Sequence, residues 1–448
     1  MILNYKVRNF LSIKDEQTLS FEATSENKYN EYYIVDTGKY KILKMGALYG
    51  ANASGKTNIL KALDLLRTIA TRSREIDSPI QYSPFKFDPE FENGNCNMEL
   101  HFVIEEDNKY IEHFYEIEFN QREIIKETLT YYPSTQPALI YERKKDDNKE
   151  RNFSLKLGKR KMAPGEQNVL ESATLPNTSI LSSFNKINPV FPLARRVRDW
   201  FVSHLLPVIL PESNLTKYSF DYFNKSTAKK QVLNQILNNS DFNINQIIIS
   251  EKEEEFTGTI KSILDRDGKL ELTEEVITEL GRMQTMKRQF ISIDHNVIDS
   301  NHESDCELPL EVESNGTKRS FGLSAPIINS LVTDKCLVID EIESSLHFEL
   351  MKYFILVFLA NSNNSQMIFS THNLLLLDWE VIRNDVIWFT EKRKDASTEL
   401  YSLAEFKGLN RSSIFRKYMS GQFGAKPNIY DYKLDINSIR EEENGKEN

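Results

Sequence analysis

The octapeptide Gly50-Ala51-Asn52-Ala53-Ser54-Gly55-Lys56-Thr57 constrains this chain more than any other stretch. Glycine at both ends, then lysine and a hydroxyl, is the spacing of a loop that wraps phosphates between a strand and a helix. The flanks supply that context. Ile42 to Tyr49 is a short apolar run, read as a buried strand, and Asn58 to Ser73 sets Ile59, Leu60, Leu63, Leu66 and Ile69 on one helical face. A helix opening at Gly55 aims unpaired N–H groups and the positive end of its dipole at an anion. Lys56 is expected to reach the β- and γ-phosphates of ATP, and Thr57 to offer its hydroxyl to Mg²⁺. Asn52, Ala53, Ser54 and Asn58 complete the expected cradle.

Three distant stretches fit the same ligand. Cys336-Leu337-Val338-Ile339 is an apolar strand that ends in Asp340 and Glu341, expected to hold the Mg²⁺ shell and to orient the attacking water respectively. Read alone, two acids at a strand exit are simply a strand meeting solvent. Ile342 to His347 is expected to start a helix. Gln366 to Phe369 is a second apolar strand, followed by Ser370-Thr371-His372-Asn373. His372, at the ligand-bearing edge of an α/β sheet, can donate to a γ-phosphate from a neutral ring nitrogen. Taken singly, it is as well read as a capping or surface histidine. Ser314 is a good N-cap for a helix from Lys318 to Val332, and that helix start is another anion site.

Taken in order, these pieces resemble an ABC-type ATPase head: phosphate loop, serine-glycine signature, strand with Asp-Glu, switch histidine. In such heads the signature faces the γ-phosphate held by a second subunit. The resemblance therefore implies a homodimer, or a higher homo-oligomer, with ATP sandwiched against Ser314, Gly316 and Thr317. The implied fold is α/β, a mixed sheet with flanking helices plus an antiparallel β lobe, carrying a mainly helical insert.

More narrowly, the chain resembles the RloA-like branch of AAA ATPases, related to the ATPase half of OLD-family proteins. The matching residues are Val7 to Ile13, the phosphate loop, Glu313 to Thr317, Asp340 to His347, Ser370 to Asn373, Arg383 to Trp388, and Tyr418 to Pro427. That likeness implies a bacterial ATPase working beside a separate effector, a nuclease or toxin, in anti-phage defence. Two features depart from the ABC pattern. The signature lacks the leucine-serine-glycine-glycine-glutamine form, and Gln81 is only a weak candidate for the glutamine loop.

The distance from Lys56 to Asp340 far exceeds what neighbouring strands of one sheet need, so something is inserted. We expect an N-terminal lobe over 1–160, a mainly helical insert over 161–300, a C-terminal lobe over 301–440 and an acidic tail over 441–448. Within the first lobe, alternating runs from Cys96 to Tyr132 read as antiparallel strands. In the insert, Pro164 to Asn239 reads as helical, with a break at Pro189-Val190-Phe191-Pro192. Phe242 to Ile249 reads as strand and Thr273 to Met286 as helix. No sustained heptad appears, which argues against a long coiled coil.

A net charge of −10 does not advertise a polyanion partner. Locally, Arg143-Lys144-Lys145 and Lys156, Lys159, Arg160 and Lys161 make a basic hairpin. It reads either as a solvated loop or as a phosphate-backbone contact for nucleic acid. Cys96, Cys306 and Cys336 lack metal spacing and fit a reducing cytoplasm, and no apolar run is long enough to cross a membrane. The stretch after His372 is too short for a fused Toprim nuclease. Two readings compete: an ATP-driven sensor regulating a separate effector, and a self-contained DNA-associated motor or repair ATPase.

Overall fold

The computed structural model describes residues 1–149, 151–159, 162, 164–187, 191–240, 243–255, 285–299, 302–409, 413–426, 436 and 442. Two sheets organise the end of the molecule that carries Gly50 to Thr57. The first takes β1 (Ile2–Arg8) and β2 (Gln17–Ser20) from the start of the chain. The short pair β3 (Ile34–Asp36) and β4 (Lys41–Leu43) and the core strand β5 (Met45–Gly50) follow. After the helix Lys56–Thr71 come β6 (Cys96–Glu106), β7 (Lys109–Phe119), β8 (Ile124–Tyr132), β9 (Ala138–Lys145) and β10 (Phe153–Leu157). The order β10-β9-β8-β7-β6-β1-β2 makes an antiparallel sheet whose strands alternate buried and open positions, the mark of one covered face. This is the antiparallel lobe that the sequence suggested.

The insert begins with helices, Pro164–Ala173, Ile180–Ser183, Pro192–Ser203, Thr216–Phe223 and Thr227–Asn238. It then turns to sheet: β11 (Ile244–Glu255), β12 (Thr285–Asp299) and β13 (His302–Pro309) form their own antiparallel unit. The helix expected over Thr273 to Met286 lies mostly outside the described residues, and its last two positions belong to β12. Arg160, Lys161, Pro189, Val190 and most of the acidic tail also lie outside them.

The second sheet has the order β14 (Cys336–Ile339), β15 (Gln366–Thr371), β5, β16 (Ile387–Lys392), β17 (Thr398–Ser402). Its first four strands are parallel and β17 closes the edge antiparallel. Every residue of β5, β14 and β15 is buried, because helices cover both faces of a parallel sheet. The fold is thus an α/β P-loop head with an antiparallel lobe.

Two element boundaries differ from the sequence reading. The run Ile42 to Tyr49 is not one strand: the chain leaves β4 and enters β5 at Lys44, whose buried Nζ donates to Ser362 O at 2.6 Å. The helix expected at Ile342 starts later, over Phe348–Asn361 with His347 as its N-cap, because Glu341 and Ser345 adopt φ of 46° and 62° and break the turn.

Gln366 joins the two sheets. Its side-chain amide accepts from Ile2 N at 2.6 Å and donates to Ile2 O and Leu43 O at 2.8 and 3.0 Å, taking the place of a paired backbone. The first strand of the antiparallel lobe is thereby fixed to the foot of β15.

The basic hairpin is not the surface the sequence implied. Arg143 lies opposite Glu127 in the β8 to β9 register and is 1% exposed. Its guanidinium donates to the carbonyls of Thr178, Leu175 and Pro176. Lys144 pairs with Glu142 at 2.9 Å and Lys145 with Glu123 at 2.7 Å. Lys156 and Lys159 remain exposed.

Candidate functional site

β5 delivers the loop to the C-terminal edge of the parallel sheet, and the helix Lys56–Thr71 departs from it. Glycine is required twice. Gly55 sits at φ 111°, and a Cβ there would lie 2.1 Å from Thr398 Oγ1; at Gly50 it would lie 2.4 Å from Thr390 O. Ala53 also takes a positive φ, 62°, at the crest, where it and Asn52 are exposed.

The loop is braced from the side by β16, β17 and the turn after β1. Ser54 Oγ shares a 2.5 Å hydrogen bond with Thr390 Oγ1, and Thr398 Oγ1 donates to Ser54 O at 2.8 Å. Asn58 Nδ2 donates to Ser12 Oγ at 2.7 Å, and Ser12 Oγ is bonded to Thr398 Oγ1. Asn58 therefore supports the loop from behind. The sequence reading gave Thr390 and Thr398 no role.

Lys56 is buried, with Nζ donating to Gly50 O at 2.9 Å and Ala51 O at 3.1 Å and lying 3.3 Å from His372 Nδ1. Burial pulls its ammonium down to about 8, while Asp340, Glu341 and Glu343 act to hold it up. A cation kept charged by nearby carboxylates, with loop carbonyls as its only oxygen partners among the described residues, is primed for an anion.

The acids arrive from β14. Asp340 is 3% exposed; its Oδ2 accepts from Thr57 Oγ1 at 2.8 Å and its Oδ1 from Ser370 Oγ at 2.5 Å. Ser370 in turn accepts Glu341 N at 2.8 Å. Since β15 lies between β14 and β5, its end brings His372 between the acids and the lysine. His372 Nε2 lies 3.3 Å from Glu341 Oε1. Glu341 holds its left-handed φ of 46° at a cost of about 1–3 kcal/mol, a strain of the kind found at functional sites.

Glu343 had no role in the sequence reading. One carboxylate oxygen accepts the backbone N–H of His372, and the other is buried without a hydrogen-bond partner among the described residues. Only its spacing, two residues past Glu341, could have signalled it.

The structure thus brings together Gly50 to Asn58, Asp340, Glu341 and His372. Ser314, Gly316 and Thr317 stand apart: among the described residues no hydrogen bond links them to the loop of the same chain. Ser314 caps the helix Asn315–Val332 by accepting Thr317 N at 3.1 Å and is itself exposed, whereas Thr317 is buried. A Cβ on Gly316 would meet Ser345 O at 3.2 Å, so this helix start packs on the turn that follows the acids. Just before it, Glu313 Oε1 lies 2.7 Å from His295 Nε2 on β12, a direct contact between the signature and the insert's sheet. Gln81 is exposed, and no hydrogen bond among the described residues ties it to the site.

A hydroxyl and a buried carboxylate 2.8 Å apart are hard oxygen donors of the kind that take up Mg²⁺ alongside phosphate. Thr57 and Asp340 would hold it.

A family model described as "AAA domain, putative AbiEii toxin, Type IV TA system" matches residues 47–378. Among solved structures, the chain is similar to the SMC head domain from Thermotoga maritima, at 14% identity, TM-score 0.43, over 90% of this chain and 98% of that one. An SmcHead bound to the C-winged helix domain of ScpA is similar at 12% identity, TM-score 0.38, over 90% and 98%. A Smc head domain with an extended coiled coil, bound to the C-terminal domain of ScpA derived from Pyrococcus furiosus, is similar at 12% identity, TM-score 0.35, over 90% and 97%. No curated protein matches the chain.

Proposed function

The chain belongs to this family of AAA domains, and from that premise we propose that it is a Mg²⁺-dependent ATPase whose closed, ATP-bound form regulates a separate effector. The observation that carries the ATPase reading is the convergence of Lys56, Thr57, Asp340, Glu341 and His372 on one edge of the parallel sheet. In this reading Lys56 exchanges its loop carbonyls for phosphate oxygens, and Thr57 and Asp340 turn toward the cation. Mg²⁺, when bound, supplies charge neutralisation at the β- and γ-phosphates. Glu341 takes the proton of the attacking water, and His372, held at its backbone by Glu343, donates to the departing γ-phosphate.

Ser314, Gly316 and Thr317 serve a second copy in this scheme, which gives their separation from the loop of their own chain a purpose. The contact of Glu313 with His295 then passes closure to the insert. The defence role follows from the RloA-like and OLD-like resemblance, and the family's description includes a toxin. A nucleic-acid motor is the weaker reading, because, of the basic run that suggested it, Arg143 is in the interior and Lys144 and Lys145 are paired with Glu142 and Glu123, while Lys156 and Lys159 stay exposed.

Phosphate release from ATP tests the enzyme: wild type is active, while Lys56→Ala and Glu341→Gln are not. Equal hydrolysis by all three would overturn the site. Sedimentation tests the dimer: Glu341→Gln with MgATP doubles in mass, and the added Ser314→Arg change returns it to monomer. For the regulator role, purification of Glu341→Gln with ATP from its own cells recovers a nuclease-like or toxin-like companion; recovery of the chain alone counts against it.

A further inference from the structure

Arg319 sits on the helix Asn315–Val332, about 7.5 Å along its axis from Ser314, and is 8% exposed. Its Nε and one terminal nitrogen have no hydrogen-bond partner among the described residues, and the other terminal nitrogen reaches only Pro211 O, at 3.5 Å. Arg383, equally deep, bonds through all three of its nitrogens. A guanidinium taken out of water without acceptors destabilises the fold that holds it, so an orphan of this kind calls for a reason.

The carbonyl that Arg319 approaches belongs to a turn with a defined place. From His204 to Ile209 the chain runs parallel to β14 along its outer edge. Cys336 N donates to His204 O, Leu206 N to Cys336 O, Ile209 N to Val338 O and Asp340 N to Ile209 O, at 2.6–3.0 Å. The turn that follows is closed by Leu210 N to Ser213 Oγ at 2.9 Å and Ser213 N to Leu210 O at 3.0 Å, so it leaves the sheet at the same edge as Asp340. Its far end rests on the signature helix: a Cβ on Gly322 would meet Leu215 Cβ at 3.1 Å, and Ser219 Oγ donates to Gly322 O at 2.9 Å. Glu212, at the crest of the turn, is exposed, and no hydrogen bond joins it to Arg319 among the described residues. Burial pulls the Arg319 guanidinium down and Glu212 is the acid that acts against it, so each charge lies in the field of the other.

We propose that Glu212 is the partner reserved for Arg319 and that the pair closes when a second copy covers the signature, making Arg319 a positioning residue that ties the sheet edge beside Asp340 to the helix begun at Ser314. The inference rests on the ATP-sandwich reading above and adds a contact outside the nucleotide site. In the free chain Glu212 is hydrated and gains little by pairing. Once a second copy strips its water, the carboxylate needs donors, and the unbonded guanidinium nitrogens supply them.

The test is a double-mutant cycle in the full-length Glu341→Gln chain, combining Glu212→Gln with Arg319→Met and reading dimer affinity by sedimentation with MgATP. Each single change weakens the dimer about tenfold, and the two together weaken it no further. Thermal melts without nucleotide separate this role from a structural one. Glu212→Gln melts as its parent does, and Arg319→Met melts at the same temperature or higher, because methionine removes buried donors that had no acceptors. Unchanged dimer affinity in Glu212→Gln, additive losses in the double variant, or a lower melting temperature for nucleotide-free Arg319→Met overturns the pair and leaves the ATPase reading standing. If the Glu341→Gln parent binds MgATP and stays monomeric, the sandwich fails and the pair with it; if calorimetry shows that it binds no MgATP, the nucleotide reading itself has failed.

Discussion

Lys56 and Arg143 are both buried cations near carboxylates, 5% and 1% exposed, yet they are surrounded in opposite ways. Arg143 spends its guanidinium on three carbonyls and packs over the Phe153 ring at 4.4 Å. Its neighbour Glu127 accepts from Tyr115, Tyr141 and Ile180 N, and lies 4.0 Å from the guanidinium. Burial raises the Glu127 carboxyl and Arg143 offsets it, so the pair closes on itself. Around Lys56 the same materials stay open: among the described residues Glu343 keeps an unbonded oxygen, Glu341 a strained backbone, and the lysine only loop carbonyls and a histidine. The terminal nitrogens of Arg143 and both oxygens of Glu127 are bonded, with Nε of Arg143 left without a partner among the described residues, so that pair serves as architecture; a carboxylate with an unbonded oxygen at a sheet edge is available for a ligand.

The widest separation between the two clusters should come from hydrolysis. Glu341→Gln lowers the rate about 10²–10⁴-fold, as loss of a positioned base does, with ATP still bound and the melting temperature raised by ATP as in wild type. Phosphate release beside a thermal melt reads both. Arg143→Met leaves Glu127 uncompensated in the interior and costs about 3–5 kcal/mol in urea unfolding, with ATP affinity of the folded fraction unchanged. If that variant lost ATP binding without losing stability, the contrast would be false.

Acidity sharpens the comparison at Lys56 alone. Its folded value is lowered to about 8 from 10.5, so the free chain sheds this proton before the unfolded chain does. Between those values the unfolded state binds more protons, and the stability of the free protein gains from this group as pH rises. Affinity for ATP, which needs the ammonium, falls by up to about tenfold per unit above pH 8 over the same window. Titrations of wild type and Lys56→Met from pH 7 to 10 expose both trends, and both vanish in the variant.

A smaller effect belongs to Ser314. Its replacement by alanine removes a cap and costs about 1 kcal/mol, and aspartate restores the cap. If Ser314 also serves a second copy, aspartate recovers stability but not the ATP-dependent dimer seen by sedimentation. The least change comes from Lys144→Gln with Lys145→Gln, within about 0.5 kcal/mol, since both pairs are solvent-facing. DNA affinity in a salt titration stays flat for that variant.

The loop, the acids and the histidine were legible because each joins a fully buried apolar strand to a polar exit, a pattern that local sequence carries. Arg143 was missed: its charge led to a reading as a solvated loop or a phosphate contact, although Tyr141 and Arg143 share one buried face of β9. Ser370, Thr390 and Thr398 matter through distances fixed only once β15, β16 and β17 flank β5, and ordinary hydroxyls give no local signal of that. The late start of the helix after Leu346 depended on positive φ at Glu341 and Ser345, residues whose side chains give no warning of it.

The amide of Gln366 has a mechanical corollary. With the foot of β15 riveted to Ile2 and Leu43, the strand that ends at His372 has no freedom to slide against the antiparallel lobe. In the proposed scheme, closure would then pass through the contact of Glu313 with His295 instead. Loosening the rivet with Gln366→Leu would let the histidine drift with the lobe, and nucleotide turnover would then lose its leverage before the molecule lost its shape.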